Sequence, residues 1–331
     1  PRASEYNCSS KQRSTVSCQM SAFLLLACLY AQVPTLEEFE RHQQLHPDDP
    51  GAHSNYGAAL RSVGRYSEAL DAIDEALRLD PDYARGHNNR GNVLQSLGGT
   101  ERLEQAVAAH ARASELDASL HTAHNNRGNA LRSLGRLDEA VEAFRAAIAI
   151  NAEFGPAYSN LGAAYTDAGQ PLEAVHHAAI GVVKQPTSPD ALNAYGAALE
   201  AASRPAEAAE AYESGLALAP QSPTLMTHLG NARRAAGQLA GAEEVLREAL
   251  VLRPAGPEAA ATYNSLGAVL QAAGQMEAAL EAYQAAAANA APGDANGLHA
   301  TATANLNKLP TSDAYRGAAA RETEALARRG A

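Results

Sequence analysis

Tryptophan is absent from this 331-residue chain, and phenylalanine occurs only four times. Hydrophobic residues nevertheless reach 46%, because most of them are alanine. Alanine is the best helix former and carries almost no bulk. A chain so short of large side chains must bring its helices close together to gain enough burial, which favours many short helix pairs over one large core. Lysine is nearly missing too, present only as Lys11, Lys184 and Lys308. With 26 Lys+Arg against 37 Asp+Glu, the formal net charge is −11. A nucleic-acid partner needs concentrated cations to displace phosphate counterions, so none is expected. The cysteines are Cys8, Cys18 and Cys28. Their odd number, without a CxxC or a histidine at ligand spacing, argues against a disulfide framework or a zinc site. A reducing compartment, cytoplasmic or nuclear, is the expected location.

Long apolar runs are also lacking. SAFLLLACLYA, after Met20, is too short to span a bilayer, so no membrane contact is expected. As a secretory leader beginning at Met20 it has no preceding basic residue. As a buried helix it would precede PTLEEFERHQQLHPDDP, where Thr35 and Glu38 fit a capping box. Residues 1–19 are expected to be disordered or upstream sequence, and residues 20–49 to form a degenerate first unit.

What is there is a repetition. HNNRGNVLQSLG (His87–Gly98) returns as HNNRGNALRSLG (His124–Gly135), with ten of twelve residues identical at a separation of 37. The pair belongs to a longer series. Glycines recur at Gly57, Gly91, Gly128, Gly162, Gly196, Gly230 and Gly267, spaced by 34 or 37 residues. A small residue follows most of them twelve later (Ala69, Ala140, Ala174, Ala208, Ala242, Ala279), and another seven beyond that. A second glycine follows the first by seven at Gly64, Gly98, Gly135, Gly169, Gly237 and Gly274, with Ser203 the exception. Each unit therefore reads as two helices. The first glycine admits a close neighbour, and the second ends helix one. A large side chain (Ile73, Phe144, Tyr212, Leu246 or Tyr283) fills the space between. Such a hairpin cannot bury its apolar face alone and must stack on others. Two three-residue insertions, near Gly99–Glu101 and Ala255–Ala259, are expected to lie in loops, where length costs little.

These residues resemble the tetratricopeptide repeat: small residues at positions 8, 20 and 27, a large apolar at 24, Pro at 32 and a 34-residue period. The resemblance covers Pro50 to about Pro292, residues 50–293 forming the array, with units starting near 50, 84, 121, 155, 189, 223 and 260. It implies an all-α, right-handed α–α superhelix of about seven regular repeats, sealed by C-terminal capping helices over residues 294–331. Two positions depart from the family. Position 4, often Trp there, is His53, His87, His124, Tyr158, Leu192, Met226 or Tyr263. Position 7, usually Leu, is Arg90 and Arg127, whose stems should pack while their heads reach a carboxylate or solvent.

No catalytic motif is present, so no enzyme activity and no cofactor are expected. His121 and His124 stand at i, i+3 but lack a third ligand, and His176 and His177 point in different directions, so no metal site is expected either. Asparagine does stand out. Asn55, Asn89, Asn126 and Asn160 occupy position 6 of four consecutive units, Asn88 and Asn125 precede two of them, and Asn92 and Asn129 follow three later. Residues three and four apart share a helix face, so these form one polar stripe, which the resemblance places in the concave groove. An amide donates and accepts at once and so matches a peptide backbone. It would equally serve to cap turns or pair units. The stripe lapses at Ala194, His228 and Ser265. It resembles the asparagine ladder in the repeat region of O-linked N-acetylglucosamine transferases. Two readings follow: a scaffold binding an extended peptide of a partner protein, or the targeting arm of such a transferase whose catalytic domain lies outside these residues. On the first, alanine at Asn89, Asn126 and Asn160 should weaken binding and leave the melting point nearly unchanged. The position-5 residues (Ser54, Asn88, Asn125, Ser159, Asn193, Thr227, Asn264) exclude the lysine clamp that grips chaperone tails. The sequence does not fix the oligomeric state.

Overall fold

A computed structural model describes residues 34–290 and 297–308. Cys8, Cys18, Cys28, the apolar run after Met20 and the final helix expected near residues 313–329 lie outside them. The described residues are helical throughout, without a strand. They fall into two compact units, one ending at Asp117 and the other starting at Ala118, the junction of the second and third repeats.

The N-terminal unit opens with α1 (Leu36–Leu45), whose capping box is formed as expected. Thr35 N–H donates to Glu38 Oε2 at 2.7 Å, and Glu38 N–H to Thr35 Oγ1 at 3.3 Å. Two hairpins follow: α2 (Pro50–Ser62) with α3 (Tyr66–Leu79), then α4 (Ala84–Leu97) with α5 (Thr100–Leu116). Leu36 of α1 packs against the Leu60, Ile73 and Val93 cluster, so the first helix covers an apolar face the hairpins cannot cover themselves.

The C-terminal unit holds five hairpins. They are α6 (His121–Ser133) with α7 (Leu137–Ile150), α8 (Gly155–Asp167) with α9 (Pro171–Lys184), α10 (Pro189–Ala201) with α11 (Pro205–Leu218), α12 (Pro223–Ala235) with α13 (Leu239–Leu252), and α14 (Pro257–Ala272) with α15 (Met276–Asn289). A last helix, α16 (Leu298–Lys308), packs on α14 and α15. Its Ala302 is fully buried and its Leu306 joins the Leu270–Tyr283 cluster, the sealing role expected of a capping helix.

Local chemistry sets the ends of these helices. Proline at the first position of α2, α8–α12 or α14, there or one residue in, loses no bond because that N–H has no helical acceptor. Asp49, Ser188 and Ser222 cap α2, α10 and α12 through their side chains. The first helix of each hairpin turns back through a left-handed residue, with φ between +66° and +80° at Gly64, Gly98, Gly135, Gly169, Gly237 and Gly274. Ser203 takes the same turn at φ 58°, as a side-chain-bearing residue in a conformation that costs about 1 kcal/mol. Ser203→Gly should therefore stabilise the protein by up to about 1 kcal/mol in chemical denaturation; an unchanged or lower stability would show that the turn carries no strain.

Inside each hairpin the position-8 glycine lies against the position-24 side chain. A Cβ added to Gly57, Gly128, Gly196, Gly230 or Gly267 would come within 2.5–2.7 Å of Ile73, Phe144, Tyr212, Leu246 or Tyr283, closer than atoms approach. In the second repeat the facing residue is His110, fully buried against Gly91.

The insertions are not in loops. The turn before α5 is only Gly98-Gly99, and α5 runs 17 residues where its counterparts run 14. Likewise α14 has 16 residues where the equivalent helices have 13 or 14. Thr100-Glu101-Arg102 and Pro257-Glu258-Ala259 begin their helices with residues suited to a first turn. The added length forms helical hydrogen bonds instead of ordering a loop.

Candidate functional site

The first helices of successive repeats lie side by side within each unit: α2 with α4, and α6, α8, α10, α12, α14 and α16 in sequence. Positions 5 and 6 meet across these contacts. Asn89 Nδ2 donates to Ser54 Oγ at 2.9 Å. Asn160 Nδ2 donates to Asn125 Oδ1 at 2.9 Å. His228 Nδ1 lies 2.7 Å from Asn193 Oδ1, and Asn305 Nδ2 donates to Asn264 Oδ1 at 2.9 Å. The first three rungs join residues 35 apart, the repeat length plus one. Since an amide is a poor helix-interior residue, its cost there is offset by a hydrogen bond contributing about 1 kcal/mol.

The asparagines thus separate into two groups. Asn88 and Asn125 are buried. The first lies 2.9 Å from His110 Nδ1, while the second accepts from Asn160 and donates to Asn126 Oδ1 at 3.4 Å. Asn89, Asn92, Asn126, Asn129 and Asn160 are half-buried, and Asn55 is exposed. An amide has two N–H bonds and an acceptor oxygen. Asn89 and Asn160 spend their Nδ2 on the rung, which leaves Oδ1 of each outside it. The melting point of the Asn89, Asn126 and Asn160 alanine variant is therefore expected to fall, not to hold. At His228 the stripe does not lapse, because an imidazole N–H makes the same rung as an amide. The sequence signal for it was a donor side chain at the right register.

Two of the position-4 histidines hold the turn that precedes them. His53 Nε2 and His87 Nε2 each lie 2.8 Å from a proline carbonyl, of Pro47 and Pro81 respectively. Gln43 Nε2 stands 3.3 Å from His53 Nδ1, which fixes the ring with its proton on Nε2. His121 packs edge-on against Phe154 at 4.6 Å between ring centres, and His177 stacks on Tyr165 at 5.4 Å. Burial lowers the His124 and His177 pKa, which favours neutral rings. Among the described residues no three His, Cys, Asp or Glu side chains converge as metal ligands. Arg90 behaves as expected, its Nε donating to Asp74 Oδ1 at 2.8 Å, whereas the buried Nε of Arg127 has no partner among the described residues.

Stacked hairpins with a small residue at position 8 and a large one at 24 define the family. A family model described as TPR repeat matches residues 57–98 and 128–169, and one described as Tetratricopeptide repeat matches 160–223 and 228–295. Together they cover more than half of the chain. The chain belongs to the tetratricopeptide repeat family. No curated protein matches it in sequence. Among solved structures it is similar to a chain of the APC/C hetero-tetramer Cut9-Hcn1, at 16% identity and a TM-score of 0.66, over 83% of this chain and 52% of that one. It is also similar to a tetratricopeptide repeat protein of Parabacteroides merdae (15% identity, TM-score 0.58, 77% of this chain and 98% of that one). A third is pilF of Pseudomonas aeruginosa (18% identity, TM-score 0.53, 63% and 94%). This tetratricopeptide repeat protein spans about half the length of the first of these. The repeats and their fold are those of a protein-interaction scaffold in general. Among the described residues no helix is long and apolar enough to cross a membrane.

Proposed function

We propose that this tetratricopeptide repeat protein binds an extended peptide segment of a partner protein along the face that first helices share within a unit. The observation that carries the reading is the partial use of the amides. The rungs occupy Nδ2 of Asn89 in the N-terminal unit, which also holds exposed Asn55, and of Asn160 in the C-terminal unit, which also holds half-buried Asn129, and leave an acceptor on Asn89 and on Asn160. A peptide backbone presents N–H and C=O groups at short regular intervals, and fixed amides meet both without selecting a side chain. A net charge of −11 favours a partner that is not acidic.

Binding and stability are separable at Asn55 and Asn129, neither of which makes a rung. The immobilised 331-residue chain would be used to select from a phage-displayed library of random dodecapeptides. Alanine at both positions should reduce retention about tenfold, two lost hydrogen bonds being worth about 1.4 kcal/mol, with the melting temperature unchanged. Equal retention by the variant would rule out the amide face as the binding surface.

A further inference from the structure

The inserted residues of the seventh repeat do more than lengthen α14. Thr227 of position 5 meets Thr262, 35 residues on as in the first three rungs, and the insertion is why that residue counts as position 3 and not position 6. The two hydroxyls stand 2.8 Å apart. Each also faces a carbonyl of its own helix, Thr227 Oγ1 to Pro223 O at 2.8 Å and Thr262 Oγ1 to Glu258 O at 3.1 Å. Both hydroxyl protons are committed to these contacts, so the pair has no donor left to offer a ligand. Beside this pair opens a cavity of about 120 Å³ lined by Pro223, Thr224, Thr227, His228, Ala261 and Thr262, with Arg253 and Glu258 completing the wall. Arg253 and Glu258 form an ion pair and so present little net charge. His228 uses Nδ1 for its rung to Asn193, which leaves Nε2 as an acceptor.

We propose that this pocket receives one aliphatic side chain, valine to leucine in size, from the peptide bound along the face of the first helices. The inference rests on the peptide-binding reading above and adds the chemistry that the amides cannot supply, a preference for one kind of side chain. The volume sets the size. A dry lysozyme cavity of about 150 Å³ holds a benzene ring, so about 120 Å³ admits three or four carbons and excludes an indole. The lining sets the polarity, since a carboxylate would find the hydroxyl protons already committed and the Arg253 charge already paired, and would lose its hydration without return. An aliphatic anchor in a small pocket flanked by polar contacts is the arrangement that concentrates binding energy in few residues.

The pocket can be tested apart from the groove with single-residue probes. N-acetyl-leucine methylamide would be titrated into the full chain while the methyl resonances of Thr227 and Thr262 are followed. A saturable shift is expected, with N-acetyl-glutamate methylamide roughly tenfold weaker. Ala261→Leu, which fills the cavity from a half-buried position, should abolish the shift, as should Thr224→Leu from an exposed one. Equal responses to both probes, no response to either, or a shift that survives both variants would overturn the pocket. If the leucine probe binds while the dodecapeptide selection yields nothing, the pocket stands and the extended-peptide reading fails.

Discussion

Replacing Gly128 with leucine should lower the melting temperature by roughly 6–12 °C, following a destabilisation of about 3 kcal/mol. The first added carbon alone would stand 2.6 Å from Phe144 Cε1 and 2.8 Å from Cδ1 and Cζ. Phe144 is fully buried, so the ring has nowhere to retreat and the helices of the third hairpin must separate. The obstruction is a side chain, and it can be cut back. Gly128→Ala should recover much of its stability when combined with Phe144→Leu, measured as a positive coupling in a double-mutant cycle. Gly162 provides the contrast. There a Cβ would meet Ala178 N at 2.9 Å and Ala174 O at 3.0 Å, both main chain, and no second substitution offers relief. A Gly128→Leu protein that melts with the wild type would show that this spacing is not fixed by the glycine.

The second large effect is on pH. Burial pushes the His110 imidazole down to about 3 from its ordinary 6.5. Between these values the unfolded chain takes up a proton that the folded chain refuses. Stability is therefore complete above about pH 6.5 and is lost progressively as pH falls toward 3, by about 2 kcal/mol between pH 7 and pH 5. His110 Nδ1 lies 2.9 Å from Asn88 Oδ1 and Nε2 lies 3.2 Å from Gln95 Oε1. The ring thus faces two amide oxygens, and a neutral imidazole, with a single N–H, donates to one of them. His110→Phe places in the second repeat the ring that Phe144 supplies in the third. Chemical denaturation at both pH values should show that the variant loses about 2 kcal/mol less than the wild type on acidification. An identical loss in the two proteins would mean that His110 titrates normally.

Most of the fold was legible because the repeat states each constraint seven times. One glycine in a helix is ambiguous, but Gly57, Gly128, Gly196, Gly230 and Gly267, each sixteen residues before a large side chain, describe one contact. His110 escaped this reading because its insertion displaced it from the expected register, and histidine is not a residue one looks for at a core position. The amide stripe was visible but its division of labour was not. Whether Asn88 points to a buried ring or to a ligand depends on the rotation of α4 against α5, which periodicity leaves undetermined. The insertions were misplaced for a related reason: three residues look alike in number whether they extend a loop or a helix, and only their capping chemistry separates the cases.

Those two lengthened helices bear on how such arrays change over time. Three residues fall short of a full turn of 3.6, so whatever precedes them is swung by about 60° relative to its counterparts. The downstream residues keep their places against the core. A change in length there re-aims the corner where a helix starts, and at α14 the recess lies beside that lengthened first turn. Novel surface on a periodic scaffold can thus arise from a small slip in count.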